Sequence, residues 1–374
     1  SRIKKFLKSN PKPLVKINSK PFISYLFNHI KKFNIRNIYL MTGYKSNKFF
    51  EKYHNKEMNL IKIKCIKENK PMGTAGCLYK IKSKVTKNFF IINGDTFFDV
   101  DLNKMYELKK KNKYILASTF SKNYKSNKQL NKLSINKKDN IVYKDNNGKI
   151  MNGGCYLFDK SIFKKIKNKY QSLEILVDDY IEKKKFIGFK SKNLFIDIGT
   201  PENLKKSKKI FPDYFNKPAL FLDRDGTINE DNGYIHKIKD LVFISKTLKL
   251  IKKFIKKNYW IFIVTNQAGV SKKKFSLKDF KFFQNYLKHE LSRKNILIND
   301  IRYCLYHKDS KIISLRKNSN YRKPGNLMIK NLLKEWDVNI SKSLMVGDQI
   351  NDKKCARNSG LDFYFTKDIN KIKI

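Results

Sequence analysis

Disulfide architecture is the first thing this sequence does not offer. Its 374 residues hold five cysteines (Cys65, Cys77, Cys155, Cys304 and Cys355), odd in number and nowhere spaced as CxxC. Scattered thiols of this kind suit a reducing compartment and exclude a disulfide framework. Long apolar runs are missing too. None approaches the roughly 20 residues that span a bilayer, and nothing is laid out as a secretory leader, so the expectation is a cytoplasmic protein without a membrane partner. Acidic residues are scarce: 32 Asp and Glu stand against 83 Lys and Arg, a formal net charge of +51. That imbalance alone suits a polyanion. Yet the lysines are spread along the whole chain among abundant Asn, Ile, Phe and Tyr, all residues with AT-rich codons, and no basic arm or stripe stands out. A biased genome accounts for that set more simply, so no nucleic-acid partner is expected. Phosphorylated small molecules gain from a positive field either way.

What is present is enough apolar material for packed interiors, 41% hydrophobic and 13% aromatic residues, in a chain long enough for two domains. Apolar, strand-like runs alternate with longer amphipathic stretches, the pattern of α/β architecture. In the first half the runs are 37–43, 88–95, 114–120, 153–159 and 193–199; in the second they are 219–223, 260–266, 301–307, 343–348 and 362–365. Helices are expected over 20–34, 246–257, 276–292 and 326–335. KKSKKIFPDYFNKP (205–218) carries a charge run and two prolines without a clear period, and reads as a linker. The expected domains are therefore 1–207 and 218–374, joined by 208–217.

Several second-half strands end in polar residues at their carboxyl edge: Asp223 and Asp225, Thr265 and Asn266, and Asp348. In a parallel sheet that edge is where ligands sit. A carboxylate there can take a phosphoryl group as an aspartyl-phosphate, splitting one hard displacement into two. A second acid protonates the departing alkoxide and later deprotonates water. Asp223 fits the nucleophile and Asp225 the acid/base, with Gly226 permitting the turn behind them. Crowded carboxylates need a hard cation, so Mg²⁺ is expected on Asp223, Asp225 and Asp348, with Asp352 supporting from behind. The Thr265 hydroxyl and the Lys323 ammonium supply donors for the transferring group. A lone DxD is commonly a helix cap or turn; four such segments in order, each closing a strand, are not.

LDRDGT, VTNQ, RKP and VGDQIND together resemble the four motifs of the haloacid-dehalogenase-type phosphatases, over roughly 217–368. FLDRDGTINEDNGYIHKIKD, VTNQAGV and RKP are similar to the D-glycero-D-manno-heptose 1,7-bisphosphate phosphatases, and histidinol-phosphate phosphatases share much of the pattern. The resemblance implies a substrate pocket lined by Asp231 to Tyr234, Thr265, Asn266, Gln267, Ala268, Arg322 and Lys323. About 40 residues separate Asp225 from Thr265 and about 58 separate Thr265 from Lys323, too few for a lid domain, so a capless fold is expected. Arg322 is placed to grip a second phosphate. The family's structural zinc loop carries a Cys-x-His and a Cys-x-Cys pair before RKP. Here Cys304 is followed by Tyr306, Ser319 and Tyr321 at the other three positions, with His307 one residue off. A closed zinc site needs four ligands, so none is expected.

In the first half, PKPLVKINSKPFISYLFNHI, GYK, ENKPMGTAGCL, NGDTFFDVDL, NGGCYLFD, SLE and FIDIGTPENL form an ordered set. It resembles the sugar-1-phosphate nucleotidyltransferases over residues 1 to about 205, within them the heptose 1-phosphate guanylyltransferase group. The resemblance implies a Rossmann-like fold in which Asp95 and Asp197 hold Mg²⁺ and Lys12 contacts phosphates. Gly73, Thr74 and Ala75 would approach the base of a nucleoside triphosphate, GTP by analogy, and Asn152, Gly153 and Glu174 the sugar. The family's phosphate-cradling GGxG[ST]RL loop is not in the sequence, which opens with SRI as a fragment beginning after those glycines would. In place of the family's Glu-Lys pair stand Asp145 and Asn146, flanked by Lys144 and Lys149.

Joined, the halves read as a bifunctional enzyme of nucleotide-activated heptose synthesis feeding surface glycans. One half hydrolyses a 7-phosphate and the other transfers a nucleotidyl group to the resulting 1-phosphate. Two alternatives stand beside it: a histidinol-phosphate or other sugar-phosphate phosphatase with an inactive first half, and a nucleic-acid 3′-end phosphatase. The sequence leaves the anomer, the nucleobase and the oligomeric state open.

Overall fold

The computed structural model describes residues 7, 10–112, 116–121, 133–148 and 150–373. The opening SRI, Tyr114 and Ile115 of the run 114–120, and Lys149 lie outside them. The chain divides into two compact units, one of residues 1–26, 37–56 and 62–208, the other of 27–36, 57–61 and 209–374.

In the first unit, strands β1 (Asn37–Thr42) and β2 (Ile61–Lys67) pair in parallel. A second, mixed sheet is ordered β6 (Phe186–Ser191), β4 (Leu116–Ser121), β5 (Met151–Asp159), β3 (Asn88–Ile92). β6 runs parallel to β4, while β5 is antiparallel to both β4 and β3. Helix α1 (Leu173–Glu182) buries Leu173, Leu176, Val177, Tyr180 and Ile181 against this sheet's core, which includes Phe89, Tyr156, Phe158 and Phe186. A short antiparallel pair, Thr96–Phe98 with Phe195–Asp197, sets Asp197 opposite Thr96.

Residues read as a linker are instead mostly helical: α2 spans Pro201–Phe215, with Pro212 inside it. The period was there. Leu204, Ser207, Phe211 and Phe215 recur at three- and four-residue spacing and are all buried, but the intervening lysines masked the stripe.

The second unit carries a five-stranded parallel sheet: β7 (Ala219–Leu222), β8 (Trp260–Asn266), β9 (Asp300–Cys304), β10 (Leu344–Gly347) and β11 (Asp362–Phe365). Their order is β9-β8-β7-β10-β11, so the chain reverses its direction of growth beside β7. β7 lies at the centre and is buried on both faces, which is why ALFL is uninterruptedly apolar. Leu220 and Leu222 pack with Ile261, Ile263, Phe254, Phe283 and Leu287 on one face. Phe221 meets Phe262 on the other, and Trp336 closes on Phe262 at 5.3 Å. The helices are α3 (Ser245–Lys256), α4 (Leu277–Arg293), α5 (Leu327–Glu335) and α6 (Ile350–Arg357). α4 begins with a capping box in which Ser276 and Asp279 satisfy each other's backbone N–H. Among the described residues, no lid domain interrupts the unit. Among the described residues, no helix is long and apolar enough to cross a membrane.

Beneath β9 lies a buried ion cluster. Lys31 donates to Asp300 Oδ2 at 2.8 Å, with both side chains fully buried, and Arg302 and the Trp336 indole reach the same oxygen at 3.1 and 3.0 Å. Burial pushes the Asp300 carboxyl up, but Lys31 and Arg302 outweigh it and hold it at about 2. An unfolded aspartate titrates near ~3.9, so this contribution is complete above that pH and fades as pH falls toward 2. Asp300→Asn leaves Lys31 and Arg302 with Glu335 as their one remaining carboxylate among the described residues, 2.8 and 2.7 Å away, and a neutral amide at the buried end of the cluster. It should lower the second unit's stability by about 3–5 kcal/mol at pH 7, measured by chemical denaturation, and by much less at pH 2.5.

Candidate active sites

At the carboxyl edge of the second sheet, β7 delivers Asp223, Arg224 and Asp225, β8 delivers Thr265 to Gln267, and β10 delivers Asp348. Asp223 Oδ1 accepts the Arg224 N–H at 2.7 Å and pairs with the Lys323 ammonium at 2.8 Å. The same ammonium lies 2.6 Å from Asp352 Oδ1, an ion pair that falls short of hydrogen-bond geometry. Burial disfavours the Lys323 charge, but the two carboxylates outweigh that and hold it protonated. Asp223 is pushed up to about 7 by burial, against the pull of Lys323.

Asp223, Asp348 and Asp352 each bring a carboxylate oxygen within 4.8 Å of the others. Asp348 Oδ2 accepts from Gln349, while its Oδ1 is buried without a hydrogen-bond partner. Burial raises the Asp348 carboxyl. A crowded, under-neutralised set of hard oxygens with an orphaned buried acceptor fits a divalent cation such as Mg²⁺. Asp225, expected among the ligands, sends its carboxylate elsewhere. It takes Arg224 Nε and NH2 at 2.9 and 2.7 Å, Asn229 Nδ2 at 2.9 Å and Gln267 Nε2 at 2.8 Å. Burial pushes it up, but Arg224 and these donors win and keep it ionised.

Arg224 is fully buried and was not singled out in the sequence, although it stands between the two aspartates. Besides Asp225 it donates to Gln284, Gln267 and the Ile235 carbonyl, and lies over the Phe283 ring. Two residues expected to line the pocket are tied to the catalytic groups. Asn266 grips both the carbonyl and the N–H of Lys323 at 3.0 Å, and Gln267 bridges Asp225 and the Thr265 hydroxyl. Ala268 contributes backbone only, its carbonyl accepting from Ser271 and Lys272. Asp231 closes a turn onto the Gly233 N–H, and the half-exposed Tyr234 has Lys274 over its ring. Arg322 donates to the Tyr306 carbonyl.

In the first unit, Lys12 pairs with Asp95 at 3.0 Å. The Ile198 N–H donates to the Asp95 carbonyl, and Asp197 Oδ1 accepts the Gly199 N–H, so the two aspartates emerge from adjacent strands. Gly73 has φ +69°, and a Cβ there would come 2.5 Å from the Gln171 carbonyl oxygen, so glycine is required. The Ala75 N–H donates to that same carbonyl. Thr74 donates to Glu174 Oε2 at 3.0 Å and accepts the Leu173 N–H, which brings a residue expected near the base against one expected near the sugar. Asn152 spans the Gly154 N–H and the Tyr156 hydroxyl, with Gly153 buried between.

A parallel sheet of order β9-β8-β7-β10-β11 with an aspartate pair after its central strand defines a haloacid dehalogenase-like hydrolase; the mixed-sheet unit is a nucleotidyl transferase. Residues 292–366 match the haloacid dehalogenase-like hydrolase family and residues 1–211 the nucleotidyl transferase family. The chain belongs to the nucleotidyl transferase family and is an enzyme with a second, hydrolase domain. It is similar to the D-glycero-beta-D-manno-heptose-1,7-bisphosphate 7-phosphatase of Rhodopseudomonas palustris, 33% identical over 39% of this chain and 81% of that protein. The D-glycero-alpha-D-manno-heptose-1,7-bisphosphate 7-phosphatase of Photorhabdus laumondii is 35% identical over 38% of this chain and 78% of its own. The D-glycero-alpha-D-manno-heptose 1-phosphate guanylyltransferase of Aneurinibacillus thermoaerophilus is 34% identical over 57% of this chain and 94% of its own.

Gly226, at φ +71°, leaves room that Asp348 fills: a Cβ would sit 2.5 Å from Asp348 Oδ2. Gly226→Ala should cut phosphatase kcat by at least about 100-fold with the circular dichroism spectrum unchanged. Gly233→Ala, at φ +81° but with nothing within 4 Å, should cost only about 1 kcal/mol of stability and far less rate.

Proposed function

We propose that this chain is a bifunctional enzyme of nucleotide-activated heptose synthesis. The phosphatase domain hydrolyses the 7-phosphate of D-glycero-D-manno-heptose 1,7-bisphosphate, and the nucleotidyl transferase domain moves a guanylyl group from GTP to the heptose 1-phosphate released. One observation carries this reading: the two domains have relatives named for an alpha heptose bisphosphate 7-phosphatase and an alpha heptose 1-phosphate guanylyltransferase, and the product of the first is the substrate of the second. The named guanylyltransferase relatives act on the alpha anomer. A phosphatase on the same chain serves that step only with the same anomer, so the alpha bisphosphate is the substrate we assign.

In the phosphatase, Asp223 attacks the phosphorus as the bond to the C7 oxygen breaks, and Asp225 protonates the leaving alkoxide. The arriving phosphate charge raises the proton affinity of Asp225, which Arg224 otherwise keeps ionised. Asp225 then takes a proton from the water that cleaves the aspartyl-phosphate. Lys323 and Thr265 face the transferring group. Asp223 and Asp348, with Asp352 beside them, would hold Mg²⁺, which would supply neutralising charge at that phosphate. Arg322 receives the distal phosphate, and Asp231, Tyr234 and the 265–268 segment shape the rest of the pocket.

In the transferase, Asp95 and Asp197 would hold Mg²⁺, and Lys12, paired with Asp95 at 3.0 Å, would neutralise phosphate. Gly73 to Ala75 receive the base, and Asn152, Gly153 and Glu174 take the sugar hydroxyls. Five buried cysteines, none in a disulfide among the described residues, suit the cytosol as the compartment where both reactions run.

Phosphate release should be fastest on the alpha heptose 1,7-bisphosphate, slower on the beta anomer, and slower still on histidinol phosphate and a 3′-phosphorylated oligonucleotide. Asp223→Asn should lower that rate by roughly 10⁴-fold or more. Asp95→Asn should stop pyrophosphate release from GTP plus heptose 1-phosphate while leaving the phosphatase intact. Preference for the oligonucleotide would overturn the assignment.

A further inference from the structure

Residues 305–322 form a loop of the phosphatase domain that runs from the end of β9 to Arg322, beside Lys323. In the family this chain resembles, that loop is stapled by zinc. The side chains here do not fit it: Cys304 is followed by Tyr306, Ser319 and Tyr321, and neither hydroxyl type is a good zinc donor. The Cys304 sulfur meets the Tyr306 carbonyl at 3.9 Å. His307 turns Nδ1 toward the Asp309 N–H at 3.1 Å. Among the described residues, the only group of three or more His, Cys, Asp or Glu side chains able to hold a metal is the one at Asp223, and none lies in this loop.

Other contacts do the fastening. Lys317 sits 3.9 Å from the centre of the Tyr306 ring, and Arg322 donates to the Tyr306 carbonyl at 3.4 Å. The Arg302 guanidinium lies close enough to Tyr321 to act on it electrostatically. Both tyrosines at zinc-ligand positions therefore have a cationic partner. Arg316 donates to the Ser310 carbonyl at 2.8 Å, the His307 N–H to the Leu315 carbonyl at 3.2 Å, and the Lys311 N–H to the Ser271 carbonyl at 2.9 Å.

We propose that a metal-free staple, centred on Tyr306 between Lys317 and Arg322, replaces the zinc of this loop and positions Arg322 for the substrate's distal phosphate. Tyr306 and Lys317 are positioning residues; the role of Arg322 rests on the bisphosphate reading above. Cation–π attraction needs the ring and not the hydroxyl.

Metal analysis and three variants test this. The purified enzyme should carry less than about 0.1 zinc per chain, and a tight zinc chelator with Mg²⁺ in excess should leave its melting temperature unmoved. Tyr306→Ala should raise KM for the heptose bisphosphate about tenfold and leave kcat for para-nitrophenyl phosphate within about twofold. Tyr306→Phe should restore the parent KM. The triple variant Tyr306→His, Ser319→Cys, Tyr321→Cys should bind one Co²⁺ with thiolate charge-transfer absorption that the parent lacks. This readout needs no substrate, so it separates the staple from the bisphosphate reading. Stoichiometric zinc in the parent, a chelator-dependent melting temperature, equal losses on both substrates, or no Co²⁺ binding by the triple variant would each overturn the proposal.

Discussion

Where the central strands of the second sheet end, three carboxylates and one ammonium share a space nearly closed to water. Asp223, Asp348 and Asp352 repel one another, and Lys323 sits between two of them with its charge wholly buried. Isolated charges are costly to bury, and repulsion among the acids adds to that cost. The cluster persists because its surroundings over-determine it. Asn266 fixes both backbone groups of Lys323, Gly226 yields its side-chain volume to Asp348, and Gly347 does the same for Asp352. Such an arrangement is poised to accept a cation and an anionic group together, because each relieves strain that the protein alone leaves in place.

The two aspartates of the DRD segment end up in opposite electrostatic settings. Burial and neighbouring acids push Asp223 up to about 7, whereas Arg224, Asn229 and Gln267 hold Asp225 ionised. Adjacent carboxylates driven apart in proton affinity are suited to different tasks. In the first unit, order comes from the backbone instead. Gly73 lets its segment close on Gln171, and that closure sets Thr74 against Glu174.

Much of this was legible in the sequence because parallel strands announce themselves twice, as apolar runs and as polar residues at their ends. ALFLDRD, WIFIVTN and SLMVGD each carried both signals, and the sheet brings their ends together. Helix α2 escaped notice because its buried stripe of Leu204, Ser207, Phe211 and Phe215 is diluted by lysines and crossed by Pro212. Arg224 escaped because burial of so long a cation is an outcome of packing against Phe283 and Gln284, residues some sixty positions away. Asn266 and Gln267 were singled out, but a motif does not say whether an amide faces a ligand or a neighbouring backbone.

The clamp of Asn266 on Lys323 reaches beyond the chemistry at Asp223. With Cys304 anchored at the end of β9 and Lys323 pinned from β8, the intervening chain hangs between two immovable posts. Its interior carries Arg322 toward the substrate but supplies no group to the chemistry at Asp223. Such a segment behaves as an interchangeable part: lineages can rewrite it, lengthen it or trade its fastening chemistry to greet new sugars while the machinery beneath goes on unchanged.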